Sequence, residues 1–248
     1  GYFLSDYDLE IDSRKVGANS IFCAYPGFND DGRKYIQNAI DAGAKAILYE
    51  PGIELEIPIK NIAVKNLIYY VGLLAAHKYH NPSKKFYTIG VTGTNGKTSV
   101  THWLNQLYTK LGNKTAIIGT TGAGLYGQTM DYAATTPNPV TVQKLLADFA
   151  NWQVEVLAME VSSHSLHQGR VNGVMFKSAI FTNLSQDHLD YHKTMEAYYL
   201  AKADLFYWYS LECAIINIDD EYGKRLNNEL NVSIVKNKYP LKILTYGI

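Results

Sequence analysis

Apolar and polar positions recur along this chain in blocks whose spacing alternates between strand and helix periods. Asp31-Gly-Arg-Lys-Tyr-Ile-Gln-Asn-Ala-Ile-Asp-Ala-Gly43 predicts a short helix with Tyr35, Ile36, Ala39 and Ile40 on one face and Gly43 as its stop. Ala46 to Tyr49 then reads as a strand, and Leu67 to Tyr79 as a second helix. The polar, proline-containing stretch Asn81-Pro-Ser-Lys-Lys85 breaks the pattern. A domain boundary is expected there, giving units 1–83 and 84–248.

Beyond the break, apolar runs at Phe86–Thr92, Thr115–Ile118, Val154–Met159, Ser178–Phe181 and Ala214–Ile216 alternate with helical patterns. This rhythm predicts an α/β fold with a mostly parallel, doubly wound sheet. Val100, Trp103, Leu104, Leu107 and Leu111 are expected to form the buried face of the helix after the first run. The stretch Val91-Thr-Gly-Thr-Asn-Gly-Lys-Thr-Ser99 therefore lies between a strand and a helix.

The 248 residues are 47% hydrophobic, enough for one large or two ordinary cores. Twenty-three basic and 23 acidic side chains cancel, so nothing global favours nucleic acid or an anionic membrane. Cys23 and Cys213 suggest neither a disulfide framework nor a structural zinc site, which fits the cytoplasm. The most apolar run, Asn66–His77, falls short of the ~20 residues that span a bilayer. The chain opens on Gly1 without a signal peptide, and Leu241–Ile248 reads as a strand that simply stops, so a truncated protein is expected.

In open parallel sheets, ligands collect outside the carboxyl ends of the strands. Here those ends are polar: the glycine loop, Glu160-Val-Ser-Ser-His164, Thr182-Asn-Leu-Ser-Gln-Asp-His188 and Asn217-Ile-Asp-Asp220. Gly93, Gly96, Lys97 and Thr98 suit a phosphate loop, in which backbone N–H groups and a helix N-terminus face the anion. Val91 stands where the strict eight-residue motif has glycine, and an ordinary glycine turn is the bland alternative. Glu160 could hold a metal ion across from the phosphates, or be a solvated charge at a strand end. His164, His167, His188 and His192 also raise transition-metal binding, but beside a phosphate loop magnesium is the better expectation. Lys202 occupies an apolar seat among Met195, Tyr198, Tyr199, Leu205 and Phe206. Either its stem snorkels to water, or its buried amine is held neutral and can take up carbon dioxide as a carbamate.

Assembled, these residues resemble the Mur ligases of bacterial cell-wall synthesis, and within them the branch that adds the third amino acid to UDP-N-acetylmuramoyl-L-alanyl-D-glutamate. The matching segments are Gly93–Thr98, Thr135-Thr-Pro137, Glu160–His164 with Gln168 and Arg170, Phe181–Ser185, Asp187–His192, Ala201-Lys202 and Ala214–Asp220. Asp12-Ser13-Arg14 and Asp31-Gly32 match as well, which favours this family over the related folylpolyglutamate synthases. Ser99 replaces the more usual threonine, and Gly169 falls between Gln168 and Arg170.

The resemblance implies a UDP-binding first domain, a central ATPase domain and a C-terminal domain that is missing here. Ile11, Ser13, Phe28, Asn29 and Asp30 would contact the uridine end. Thr135, Thr136, Ser162, Gln168 and Arg170 would hold the muramoyl-dipeptide and its diphosphate. ATP would sit on Gly93, Thr94, Asn95, Gly96, Lys97, Thr98 and Ser99, with Lys97, His188 and Lys202 catalytic. Thr98 and Glu160 would hold one Mg2+, and His188 with carbamylated Lys202 a second. The implied reaction joins meso-diaminopimelate or L-lysine to the dipeptide through an acyl phosphate, in a cytoplasmic monomer serving peptidoglycan synthesis, cell shape and division. A chain without its last domain is expected to ligate little. A non-ligase nucleotide-binding module or a folylpolyglutamate-synthase-like ligase is the alternative.

Overall fold

The computed structural model describes residues 6–28, 30–52, 54, 56–130, 135–237 and 240–248. Its first sheet is assembled from β1 (Asp8–Glu10), β2 (Ser20–Ala24), β3 (Ala46–Tyr49) and β4 (Asn61–Ala63), paired in that order and all parallel. Parallel neighbours need crossovers. Helix α1 (Ile36–Asp41) lies between β2 and β3, and α2 (Leu67–Lys78) follows β4. Phe22, Ile36, Ala39 and Ile47 form a core with α1, while Leu9, Ile21, Leu48, Leu67 and Val71 form a second with α2.

The predicted helix over 31–43 divides in two. Residues Gly32–Tyr35 are a 3-10 turn whose start is capped by the Asp31 carboxylate accepting from Arg33 N at 3.0 Å. That tighter turn rotates Tyr35 off the buried face, leaving it 40% exposed with its hydroxyl donating to Asp30 at 2.6 Å.

A second sheet carries the rest of the chain. In sequence it adds β5 (Tyr87–Thr92), α3 (Lys97–Lys110), β6 (Thr115–Gly119), β7 (Gly122–Leu125), β8 (Gln128–Met130), α4 (Pro139–Asn151) and β9 (Val156–Glu160). It continues with α5 (Ser163–His167), β10 (Phe176–Phe181), α6 (Leu189–His192), α7 (Met195–Ala203), β11 (Cys213–Asn217), α8 (Glu221–Asn237) and β12 (Lys242–Tyr246). The strand order is β12-β11-β10-β5-β9-β6-β7-β8, parallel from β12 through β6, with β7 and β8 antiparallel at one edge. The antiparallel edge has no counterpart among the predicted strands, because β7, with Gly122 and Gly124, and the short polar β8 carry little apolar signal. No described helix is long and apolar enough to cross a membrane.

Alternation along each strand divides the side chains between two faces. Leu157, Met159, Ala179, Phe181, Ala214 and Ile216 face a core that takes in residues of α4, α5, α7 and α8. Ile89, Val91, Val156 and Ile180 face Val100, Leu104 and Tyr108 of α3. Strand β5 thus sends its chain to the α3 face, whereas its neighbours β9 and β10 send theirs to the other. The glycine loop sits at that switch, where a crevice opens between strand ends.

Helix α3 forms where predicted but is rotated from expectation. Trp103, Leu107 and Leu111 are 65%, 55% and 68% exposed, while Thr101 and Asn105 are buried. The phosphate loop sets this rotation: Thr98 must face the sheet, and positions three and seven residues on share its face. Both buried polar side chains donate within the helix, Thr101 to Thr98 O at 2.9 Å and Asn105 to Thr101 O at 2.8 Å. Glutamine at Trp103 or Leu107 should change the unfolding free energy by about 0.5 kcal/mol or less. Phe149→Ala in the main core should lower it by about 3–5 kcal/mol, both read from urea unfolding.

Candidate active site at the carboxyl ends of the second sheet

The loop after β5 requires glycine at its first turn. Gly93 has φ +148°, and a side chain there would overlap the Thr182 hydroxyl. This close approach lets residues 182–185, just after β10, clamp the loop. Thr94 N donates to Asn183 O at 2.9 Å, Asn95 N to the Asn183 side chain at 3.0 Å, and the Thr182 hydroxyl to Asn95 O at 2.6 Å. Asp220, beyond β11, accepts from Leu184 N at 3.0 Å and from Tyr222 N and Gly223 N at 3.0 and 3.1 Å. Thr182, Asn183 and Asp220 lie in polar stretches recognisable from sequence, but no local signal marks them as shaping the loop.

Two lysines converge beneath that loop. Lys97 Nζ donates to Gly93 O and Thr94 O, both at 2.8 Å. Lys202, 1% exposed, also donates to Gly93 O at 2.8 Å, with Nζ 4.6 Å from the centroid of the Tyr198 ring. Snorkelling is therefore excluded. Burial lowers the Lys97 pKa, with Glu160 and Asp187 opposing. Burial, reinforced by the Lys97 charge, pulls Lys202 well below the usual lysine range, with only Asp187 opposing. Tyr198, one residue that sequence reasoning left without a role, also reaches Thr94 through a hydroxyl–hydroxyl bond of 3.2 Å.

Glu160 ends β9 on the α3 face because it follows Val156 and Ala158 at two-residue steps. It is completely buried, and it appears in no ion pair among the described residues. Its carboxylate accepts from Thr98 Oγ1 at 3.0 Å, Thr120 N at 2.9 Å and Thr120 Oγ1 at 3.2 Å. A buried anion beside hydroxyl oxygens is a donor set suited to a hard divalent cation such as magnesium. Thr120 was not singled out from sequence.

The remaining predicted residues extend from this centre. Thr135 Oγ1 lies 3.2 Å from Thr120 Oγ1, and the Thr136 hydroxyl donates to Glu160 O at 3.1 Å. Arg170 donates to Thr136 O at 3.1 Å and to the Gln168 side chain, and Gln168 in turn donates to the Tyr191 hydroxyl at 3.1 Å. Ser162 caps α5, accepting from Ser165 N at 3.1 Å. Ser99 is exposed on the first turn of α3. Ile11, Ser13 and Asp30 line a separate cavity of about 860 Å³, closed on another side by Asn138, Val140, Thr141 and Lys144 of the α4 end. Phe28 does not line it; its ring packs 5.3 Å from His167 and 5.2 Å from Tyr191. Asn29 lies outside the described residues.

The histidines form an aromatic cluster rather than a metal cage. Among the described residues no three His, Cys, Asp or Glu side chains converge to hold a metal. His188 begins α6 at φ +52°, its ring 4.8 Å from His164 and 6.0 Å from Tyr198. His192 bonds Ser163 Oγ at 2.9 Å and stacks on Tyr198 at 5.1 Å.

A glycine loop between a parallel strand and a long helix, with a buried carboxylate facing its threonine, defines a phosphate-loop α/β protein. Family models narrow this: the Mur ligase middle domain matches residues 91–246, and the Mur ligase family catalytic domain matches residues 7–79. The chain belongs to the Mur ligase family. It is 48% identical over 243 residues to a UDP-N-acetylmuramoyl-L-alanyl-D-glutamate--2,6-diaminopimelate ligase of Neisseria meningitidis, covering 96% of this chain and 49% of that protein. A solved structure of a ligase of the same description aligns with TM-score 0.84 at 33% identity, over 97% of this chain and 48% of the other. The MurF ligase of Thermotoga maritima in complex with ADP shares the fold, with TM-score 0.62 at 20% identity over 98% of this chain and 51% of the other. The chain spans about half the length of the relatives it matches.

Burial lowers the His192 pKa from 6.5 to about 4, and the neighbouring His164, His167, Lys202 and His188 charges add to the shift. The unfolded chain takes up this proton near 6.5, whereas the folded chain refuses it until about 4. The stability tied to neutral His192 is therefore complete above the unfolded pKa and is lost as pH falls through that window, by up to about 1.4 kcal/mol per pH unit. His192→Gln should flatten this part of a stability–pH profile measured by urea unfolding.

Proposed function

We propose that this chain supplies the UDP-substrate and ATP sites of a ligase that joins 2,6-diaminopimelate to UDP-N-acetylmuramoyl-L-alanyl-D-glutamate. The observation that carries the reading is Lys202, a buried amine on the phosphate-loop carbonyl that Lys97 also meets, in the same region as buried Glu160. A simple nucleotide switch has no need of that second amine. The description of relatives at 48% and 33% identity supports the substrate and the choice of diaminopimelate.

In this reading, Gly93 to Ser99 bind ATP, with Lys97 leaving the Gly93 and Thr94 carbonyls to meet the terminal phosphates. Thr98 and Glu160 would hold one magnesium ion, and His188 with a carbamate on Lys202 would hold a second. Bound there, magnesium would offset the charge that accumulates as a carboxylate approaches the γ-phosphate. The D-glutamate γ-carboxylate oxygen bonds to the γ-phosphorus as the bond to ADP breaks; the incoming amine then forms the amide, releasing phosphate and a proton. Thr135, Thr136, Ser162, Gln168 and Arg170 orient the peptide and diphosphate end. Ile11, Ser13 and Asp30, which line the cavity, hold the uridine end. Lys202 becomes an oxygen donor by bonding its neutral amine to carbon dioxide and releasing a proton.

Calorimetry should detect UDP-N-acetylmuramoyl-L-alanyl-D-glutamate binding to the chain, and absence of binding would sink the reading. Lys97→Ala should weaken ADP binding by about 1.5–3 kcal/mol, roughly 10- to 150-fold. In 13C-bicarbonate buffer the protein should give a carbamate resonance that Lys202→Ala abolishes; a spectrum unchanged by the substitution would remove the carbamate from the mechanism.

A further inference from the structure

Gly169 interrupts the Gln168–Arg170 pair, and the structure shows what the interruption accommodates. The turn 169–173 lies against α2 of the first unit with almost no side-chain volume between the two backbones. Gly169 has φ +63°, and a Cβ there would stand 3.2 Å from Ile68 O. Gly173 has φ +85°, and a Cβ there would stand 2.8 Å from both Ala76 Cβ and Gly72 O. Gly72 completes the seam: any side chain on it would overlap the Asn172 carbonyl oxygen. Asn172 ties the surfaces directly, donating from Nδ2 to Tyr69 O at 2.9 Å, while Gln143 of α4 donates to Asn172 O at 3.3 Å.

The seam bears on the site because the same turn carries Arg170. Its backbone N–H donates to Ser165 O at 2.8 Å, and its guanidinium spans Thr136 O and Gln168 Oε1. Tyr25 of the first unit lies near enough to feel the Arg170 charge, and Phe28 reaches across to His167 and Tyr191. Cavity residues at the uridine end and Arg170 at the diphosphate end thus belong to different units, yet one substrate must span both. A fixed spacing between them favours that ligand, since ordering need not be supplied on binding.

We infer that Gly72 and Asn172 are positioning residues: by locking the 169–173 turn onto α2, they hold Arg170 at the distance from the uridine cavity that a UDP-linked peptide requires. The inference rests on the UDP-muramoyl-dipeptide reading for its ligand, but its mechanical content does not. Neither residue is placed in contact with substrate.

Asn172→Ala removes the cross-unit hydrogen bond without a clash, and Gly72→Ala forces the backbones apart. Calorimetry on both variants should show UDP-N-acetylmuramoyl-L-alanyl-D-glutamate bound about tenfold more weakly, with UMP, which lacks the peptide end, within about twofold of wild type. In the unliganded protein, amide hydrogen exchange over 169–175 should quicken about tenfold in Asn172→Ala, with residues 93–99 unchanged. Parallel loss of UMP and full-ligand affinity would mean general damage and overturn the inference, as would unaltered exchange over 169–175. A wild-type chain that binds no UDP-muramoyl-dipeptide would refute the functional reading instead, and hydrogen exchange alone would then decide the seam.

Discussion

Two lysine amines gathered on one backbone carbonyl organise the second sheet. Gly93 O accepts from both Lys97 Nζ and Lys202 Nζ, and each lysine is partly or wholly removed from water. Burying a charged amine is unfavourable unless it is paired or neutralised. Burial lowers the pKa of both, but Glu160 and Asp187 oppose it at Lys97, whereas at Lys202 the Lys97 charge adds to it and only Asp187 opposes. Two lysines of identical chemistry thus share one carbonyl in different electrostatic surroundings.

The loop can hold those amines only because its own shape is fixed from outside. Residues 182–185 supply partners to Thr94 and Asn95, and Asp220 in turn supplies one to Leu184. Three consecutive parallel strands, β5, β10 and β11, thus contribute in series to one turn. Strand alternation does the rest, placing Glu160 on the α3 face where Thr98 meets it. The rotation of α3 follows from the same meeting, at the expense of leaving Trp103, Leu107 and Leu111 in solvent.

The two units divide the remaining labour. The cavity of the first is bounded partly by α4 of the second, and Arg170 belongs to a turn pressed against α2. A ligand reaching from Ser13 to Arg170 would cross a junction built from glycine backbones and one asparagine, which tolerates little displacement because packed interiors are dense.

Much of this was legible in the residues. Strands β3, β5, β6 and β9 to β12, the parallel sheet, the glycine loop and the family resemblance follow from apolar runs punctuated by glycine and polar strand ends, which are local signals; β1, β2, β4, β7 and β8 were not anticipated. Lys202 stood out because lysine breaks a helical apolar face, and that conflict is itself local. The rotation of α3 was not legible: Trp103 and Leu107 satisfy helical periodicity as well as Thr101 and Asn105 do not. Nor were the roles of Thr120, Asn183, Tyr198 and Asn172, whose most distant partners lie between 40 and 104 positions away. Sequence alone determined which residues could do phosphate and metal chemistry, because residue type and short-range spacing carry that information. Only the tertiary structure decided which of them meet, since a hydrogen bond depends on directions and distances that chain folding sets between remote segments.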